Sequence, residues 1–106
     1  MTTQTTIQVG DYNFEGPFAN TTSLRHAAGV YVILCAGQSK YTVVDVGESA
    51  DIRSRLENHD RKDCWTRNCS TQLFVAALYT SGFNEPQRRA IESGLRSQYR
   101  PACGDN

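Results

Sequence analysis

The stretch YTVVDVGESADIRSRLENH, residues 41–59, places Asp45, Arg55 and His59 close together in the chain. Arg55 and His59 are four residues apart, the spacing that brings side chains together on one helical face. Tyr31 lies upstream and Glu92 downstream. A carboxylate beside a cation stays ionised and can hold a metal or take a proton. A guanidinium fork matches the oxygens of a phosphate, and imidazole and phenol groups move protons. Each residue also has a plainer reading. A strand tyrosine usually packs, a helix arginine is usually solvated, a histidine near a helix C-terminus suits the dipole, and Glu92 can pair with Arg88 or Arg96 at i−4 or i+4.

These groups need a frame, and the pattern around them supplies one. Residues 6–14 read as two short strands joined at Gly10-Asp11, a hairpin ended by Gly16-Pro17. VYVILCA, residues 30–36, is a β-branched apolar run suited to a strand buried on both faces, and residues 41–47 form its antiparallel partner across the turn GQSK. Asp45 and Gly47 then share a strand face, because side chains alternate. Ser49 is the expected N-cap of a helix running to about Asp60, with Asp51 in its first turn and Ile52 and Leu56 on its apolar face. Residues 60–71 read as an irregular linker, residues 72–80 as a third strand. Asn84 and Pro86 open a last helix, with Ile91 and Leu95 as its core stripe, that Pro101 stops after Tyr99. The expectation is one α+β domain over residues 1–106, helices covering one antiparallel sheet. Residues 1–27 would be an N-terminal hairpin and linker, residues 28–106 the core.

At 106 residues the chain suits one small domain. Its formal net charge is zero, so the overall balance does not point to nucleic acid. The distribution is uneven, with two basic against five acidic side chains in residues 1–52 and nine against six in residues 53–106. A phosphate-binding face would therefore draw on the second half: Arg53, Arg61, Lys62, Arg67, Arg88, Arg89, Arg96 and Arg100, with Trp65 and Tyr79 as candidates for stacking on bases. The N-terminus lacks a basic region and an apolar core, so it does not read as a signal peptide. The longest apolar run is far too short to span a bilayer. A cytoplasmic protein without a membrane partner is expected, its four cysteines reduced and buried. His59, Cys64, Cys69 and Cys103 are an alternative zinc set, but the spacing is not that of a usual zinc knuckle.

Gly29-Val30-Tyr31 opening one strand, Val46-Gly47 closing the next, Arg55 and His59 after it, and Glu92 early in a helix ending YRP together resemble the GIY-YIG nuclease superfamily over roughly residues 28–106. The resemblance implies a three-stranded antiparallel sheet flanked by helices, with the 6–14 hairpin as an addition. It also implies cleavage of DNA phosphodiesters with one Mg²⁺ or Mn²⁺ ion. By the same resemblance Tyr31 and His59 activate water, Arg55 binds the scissile phosphate and Glu92 is the metal ligand, while Arg53, Arg61, Lys62 and Arg88 contact the nucleic acid.

Two positions depart from that pattern. The tyrosine of the second tripeptide is replaced by Asp45, and the asparagine that follows the last proline falls at Gly104, with Asn106 two residues further. Three accounts of Asp45 stand open: a second metal ligand or base, an anchor for Arg55 or His59, or the mark of a module that binds nucleic acid or protein without cutting. RNA as substrate, a partner protein and a homodimer are open as well.

Overall fold

Gly29 to Ala36 carries two valines, an isoleucine, a leucine and a tyrosine in eight residues, and nothing in it opposes an extended chain. It forms β3 (Gly29–Ala36), buried on both faces through Leu34. The computed structural model describes residues 5–104. Around β3 lie β1 (Thr6–Val9), β2 (Tyr12–Phe18), β4 (Tyr41–Ser49), α1 (Ile52–Glu57), α2 (Lys62–Arg67), β5 (Leu73–Tyr79) and α3 (Glu85–Tyr99). The fold is α+β, with a single antiparallel sheet in the order β1-β2-β5-β3-β4.

The N-terminal hairpin is therefore not an appendage. β2 pairs with β5 through Glu15↔Ala77 and Phe18↔Val75, so the trio β3, β4 and β5 sits within five strands rather than standing as a three-stranded sheet. Gly16-Pro17 does not end the strand either. It lies where the β2–β5 register shifts, a place where a residue without an N–H costs no ladder bond.

Both faces of the sheet are covered. Val30, Val32 and Leu34 pack with Phe14, Val46 and Ala76 against Leu95 of α3. Tyr31, Ile33, Val75 and Ala77 pack on the other face against Ile52 and Leu56 of α1 and Trp65 of α2. Such a division needs a strand apolar on both sides, as β3 is. α3 follows its sequence signals: Asn84 and Gln87 form a reciprocal capping box, Pro86 sits in the first turn, and Arg100 ends the helix in a left-handed conformation before Pro101.

The single helix expected over residues 49–60 is shorter, and its cap is Asp51, whose carboxylate accepts from Ser54 N–H. It ends because Asn58 Nδ2 donates to the Ser54 carbonyl, closing the last turn. The chain after it is not irregular throughout, since α2 forms with Trp65 as its buried anchor. At the outer edge of β4, Cys103 N–H donates to the Val44 carbonyl and Arg96 donates to the Val46 carbonyl.

The cysteines correct the expectation of reduced thiols. Cys35 is bonded to Cys69 and Cys64 to Cys103, tying the end of β3 to the loop after α2, and α2 to the tail after α3. Those sulfurs are not available as zinc thiolates, and among the described residues no group of three His, Cys, Asp or Glu side chains converges as a metal site. The disulfides fit a non-reducing compartment better than the cytoplasm. Among the described residues no helix is long and apolar enough to cross a membrane.

With partners 34 and 39 positions apart in the sequence, each bridge removes about 4 kcal/mol of loop entropy from the unfolded chain. Alkylation of the unreduced, unfolded protein should label no cysteine, and peptide mapping should recover the two pairs. Reduction should lower the melting temperature by well over ~10 °C. A fully alkylated protein of unchanged melting temperature would refute the pairing.

Candidate functional site

In the β3–β4 register Tyr31 stands opposite Gly47. The phenol ring lies over that glycine, where a Cβ would collide with the Tyr31 hydroxyl and ring. Nothing larger than glycine leaves space for the ring, which gives the Tyr31/Gly47 combination a physical reason. Two residues earlier the ladder slips: Ile33 faces Asp45 and Leu34 faces Val43, so Val44 is extra. The bulge leaves Asp45 on the face of Gly47, as strand alternation predicts.

The Tyr31 hydroxyl is 2.6 Å from Nε2 of His59. His59 does not continue α1. It follows the helix and turns inward, its side chain fully buried, its ring edge-on to Tyr31 and tilted against Trp65. Nδ1 of His59 accepts the Arg61 backbone N–H at 3.0 Å. That bond fixes the tautomer: the neutral ring carries its proton on Nε2 and donates it to the phenol oxygen. Burial first, then the charges of Arg55 and Arg61, pushes His59 down to about 4. Burial, reinforced by Asp45 and opposed by Arg61 and Arg55, pushes Tyr31 up to about 12. At neutral pH the pair is thus a phenol and a neutral imidazole. His59 cannot take the Tyr31 proton in this tautomer, but its N–H and the two guanidinium charges would stabilise the phenolate once that proton had left.

Asp45 is completely buried. Its Oδ2 accepts from Arg61 Nε and Trp65 Nε1, both at 2.7 Å. Its Oδ1 accepts from Arg96 Nη2 at 2.6 Å, from Val46 N–H at 2.8 Å and from Arg61 Nη2 at 3.4 Å. Asp45 does act as an ion-pair anchor, but for Arg61 and Arg96 rather than Arg55 or His59. With those partners on both oxygens it is not placed as a second metal ligand or a base.

Glu92 accepts from Arg96 Nε at 3.1 Å through Oε2, so one guanidinium joins it to Asp45. No hydrogen bond or ion pair among the described residues joins Glu92 directly to Tyr31, Arg55 or His59. Glu92 lines an open groove of about 580 Å³ with Arg61, Arg89, Ser93, Arg96, Ser97 and Arg100. Arg55 pairs with the exposed Asp60 at 3.0 Å and lies close enough to Tyr31 and His59 to bias both.

The remaining predicted contacts scatter. Arg53 pairs with Glu57, Lys62 donates to the Glu57 carbonyl, and Arg88 turns inward onto Glu48 and the Phe83 carbonyl. Arg88 is thereby occupied as a structural cation. Trp65 is a core anchor, not a free stacking surface, and Tyr79 accepts from Arg25 N–H while the Arg25 guanidinium covers its ring. Sequence reasoning named Arg61 and Arg96 only as groove cations. Nothing in spacings of 16 and 51 residues signals that both close on Asp45. Comparison with known protein families, with curated proteins and with solved structures finds no match for this chain.

Two outcomes are expected here. Because folding lowers the His59 pKa from 6.5 to about 4, the folded state binds fewer protons in that window. The contribution to stability is complete above pH 6.5 and is lost as pH falls towards 4, by about 3 kcal/mol in the limit. Denaturant titrations across this range should show the loss in wild type and a flatter profile in His59→Gln; parallel profiles would contradict it. Asp45→Ala should cost about 3–5 kcal/mol, because it strands two guanidiniums and an indole N–H. A loss below about 1 kcal/mol would mean that the network contributes little.

Proposed function

We propose that this domain is a metal-dependent endonuclease of the GIY-YIG kind, hydrolysing DNA phosphodiester bonds. The observation that carries the reading is the Tyr31–Gly47–His59 arrangement: a tyrosine seated over the glycine of the next strand, hydrogen-bonded to the histidine after the helix, with Arg55 and Arg61 beside it.

In this reading each residue acts at a stated atom. Arg55 exchanges Asp60 for a phosphate oxygen, at little cost because that ion pair is on the surface. The scissile phosphate then meets guanidinium charge as negative charge develops on its oxygens. Tyr31 would first release its proton to bulk water; the phenolate, held by His59 Nε2–H and the Arg55 and Arg61 charges, would then take the proton of the attacking water. Glu92 would hold Mg²⁺. Its Oε2 is engaged by Arg96, while Oε1 makes no hydrogen bond among the described residues, and Mg²⁺ that keeps its waters needs few protein ligands. Bound there, the ion would supply Lewis-acid charge and lower the pKa of a coordinated water.

A second reading, from a different class, is a module that binds nucleic acid or a partner protein on the same scaffold without cutting. The observation in its favour is that Tyr31 is 1% exposed while Arg96 already holds Glu92. Cleavage of supercoiled plasmid and labelled branched DNA with Mg²⁺ or Mn²⁺ separates the two. The nuclease reading expects nicking by wild type and a loss of about 10²-fold or more in Tyr31→Phe, Arg55→Ala and Glu92→Ala. DNA retarded on a gel but uncut with either metal would leave the binding module.

A further inference from the structure

Residues 89, 93, 96 and 97 fall on one face of α3, with Arg100 at its C-cap, and these side chains alternate in size. Ser93 and Ser97 are short and make a floor; Arg89, Arg96 and Arg100 rise beside it. Arg61, from the turn before α2, closes the groove from the other side. Arg61 and Arg96 share the buried Asp45, Arg96 also holds Glu92, and Arg89 pairs on the surface with Glu85 at 2.5 Å, so the cationic part of the lining is Arg100 and the outward edge of Arg61.

A row of arginines on a helix is ordinarily a solvated face, but two of these are built into place. Arg61 is fixed by Asp45 through Nε and Nη2, which leaves Nη1 without a partner among the described residues, and its side chain is 27% exposed. Arg96 is held by Asp45, Glu92 and the carbonyls of Val46 and Cys103. Gly104 makes room for it: a Cβ there would strike the Arg96 guanidinium. A buried carboxylate that aligns two guanidiniums at the lip of a groove removes the entropy cost that flexible arginines incur on binding an anion.

We propose that this groove is the phosphate-binding track of the protein, and that Asp45 is its positioning residue. The ligand is a phosphodiester backbone. Arg89 to Tyr99, the last helical residue, spans about 15 Å at the ideal helical rise, and Arg100 caps that end, which leaves room for several successive phosphates where a free ion needs one. Arg61 and Arg100 donate to the phosphate oxygens, Arg89 extends the track at its far end, and Arg96 transmits the Asp45 anchor to Glu92. Arg55 lies outside the groove lining, so the track is separate from the phosphate contact assigned to Arg55 above. The choice of a nucleic-acid backbone rests on the nuclease reading, whereas the anion site rests on the groove itself.

The test is fluorescence anisotropy of a fluorescein-labelled oligonucleotide, single-stranded and duplex, in EDTA so that no cleavage occurs. Arg61→Gln, Arg100→Gln and Ser97→Glu are compared with Ser39→Ala, which lies outside the groove, and melting temperatures verify folding. Arg61→Gln and Arg100→Gln should each weaken binding about tenfold or more and reduce the salt slope by about 1. Ser97→Glu, which puts a negative charge on the floor, should abolish binding, and Ser39→Ala, in the exposed β3–β4 turn, should leave it unchanged. Asp45→Asn should reproduce the loss caused by Arg61→Gln where the protein remains folded; the surface variants decide the matter if it does not. No binding by wild type at low salt, or full affinity in Ser97→Glu and both arginine variants, overturns the proposal. Displacement of the oligonucleotide by inorganic phosphate at equal phosphate concentration also overturns it, because the site would then hold a single ion. Groove-dependent binding without cleavage in Mg²⁺ removes the nuclease reading and leaves the track. Cleavage that survives the groove variants removes the track and leaves the nuclease.

Discussion

A carboxylate with no exposure to water must be paired on both oxygens or it destabilises the fold. Asp45 meets that condition with two guanidiniums, an indole N–H and a backbone N–H. These donors come from separate parts of the chain: the turn before α2, α2 itself, α3, and β4. The tail after α3 joins the same arrangement through Arg96 and Cys103, and the Cys64–Cys103 bridge locks it to α2. The polar side of the molecule is organised around this one charge, as the apolar sides are organised around β3.

Under the proposed GIY-YIG reading, the pairing changes the meaning of Asp45 standing where that pattern has a tyrosine. A tyrosine at position 45 would leave Arg61 without its buried counter-ion, Arg96 with Glu92 alone, and Trp65 without its acceptor. The exchange is therefore not a local substitution of one proton-handling group for another. It belongs with the arginines, the tryptophan and the disulfide as a set. Tyr31, over Gly47 and against His59, is the part of the resemblance that does not depend on the set.

Much of this was legible in the sequence, and the failures have physical causes. β3, β4, β5 and α3 were readable because β-branched runs and the Asn84/Pro86/Pro101 signals act over a few residues. The joining of β2 to β5 was not, because Gly16-Pro17 reads as a terminator and only the sheet shows that a register shift accommodates it. His59 was expected on the helix, since i,i+4 spacing cannot reveal that Asn58 caps the turn first. The shared face of Asp45 and Gly47 followed from alternation, whereas the partners of Asp45 depend on long-range closure. The cysteines were misread because their count and spacing carry no pairing signal; proximity in the fold supplies it.

The covering of β4 has a consequence for association. Val44 and Val46 already spend their outward carbonyls on Cys103 and Arg96, so this edge is blunted as a template for another strand. β1, at the opposite end of the sheet, pairs only with β2 among the described residues. Strand addition is therefore directed to one side. Two copies meeting through β1 would consume both available edges and stop there, which makes a closed pair, rather than an open fibre, the natural limit of edge-to-edge growth.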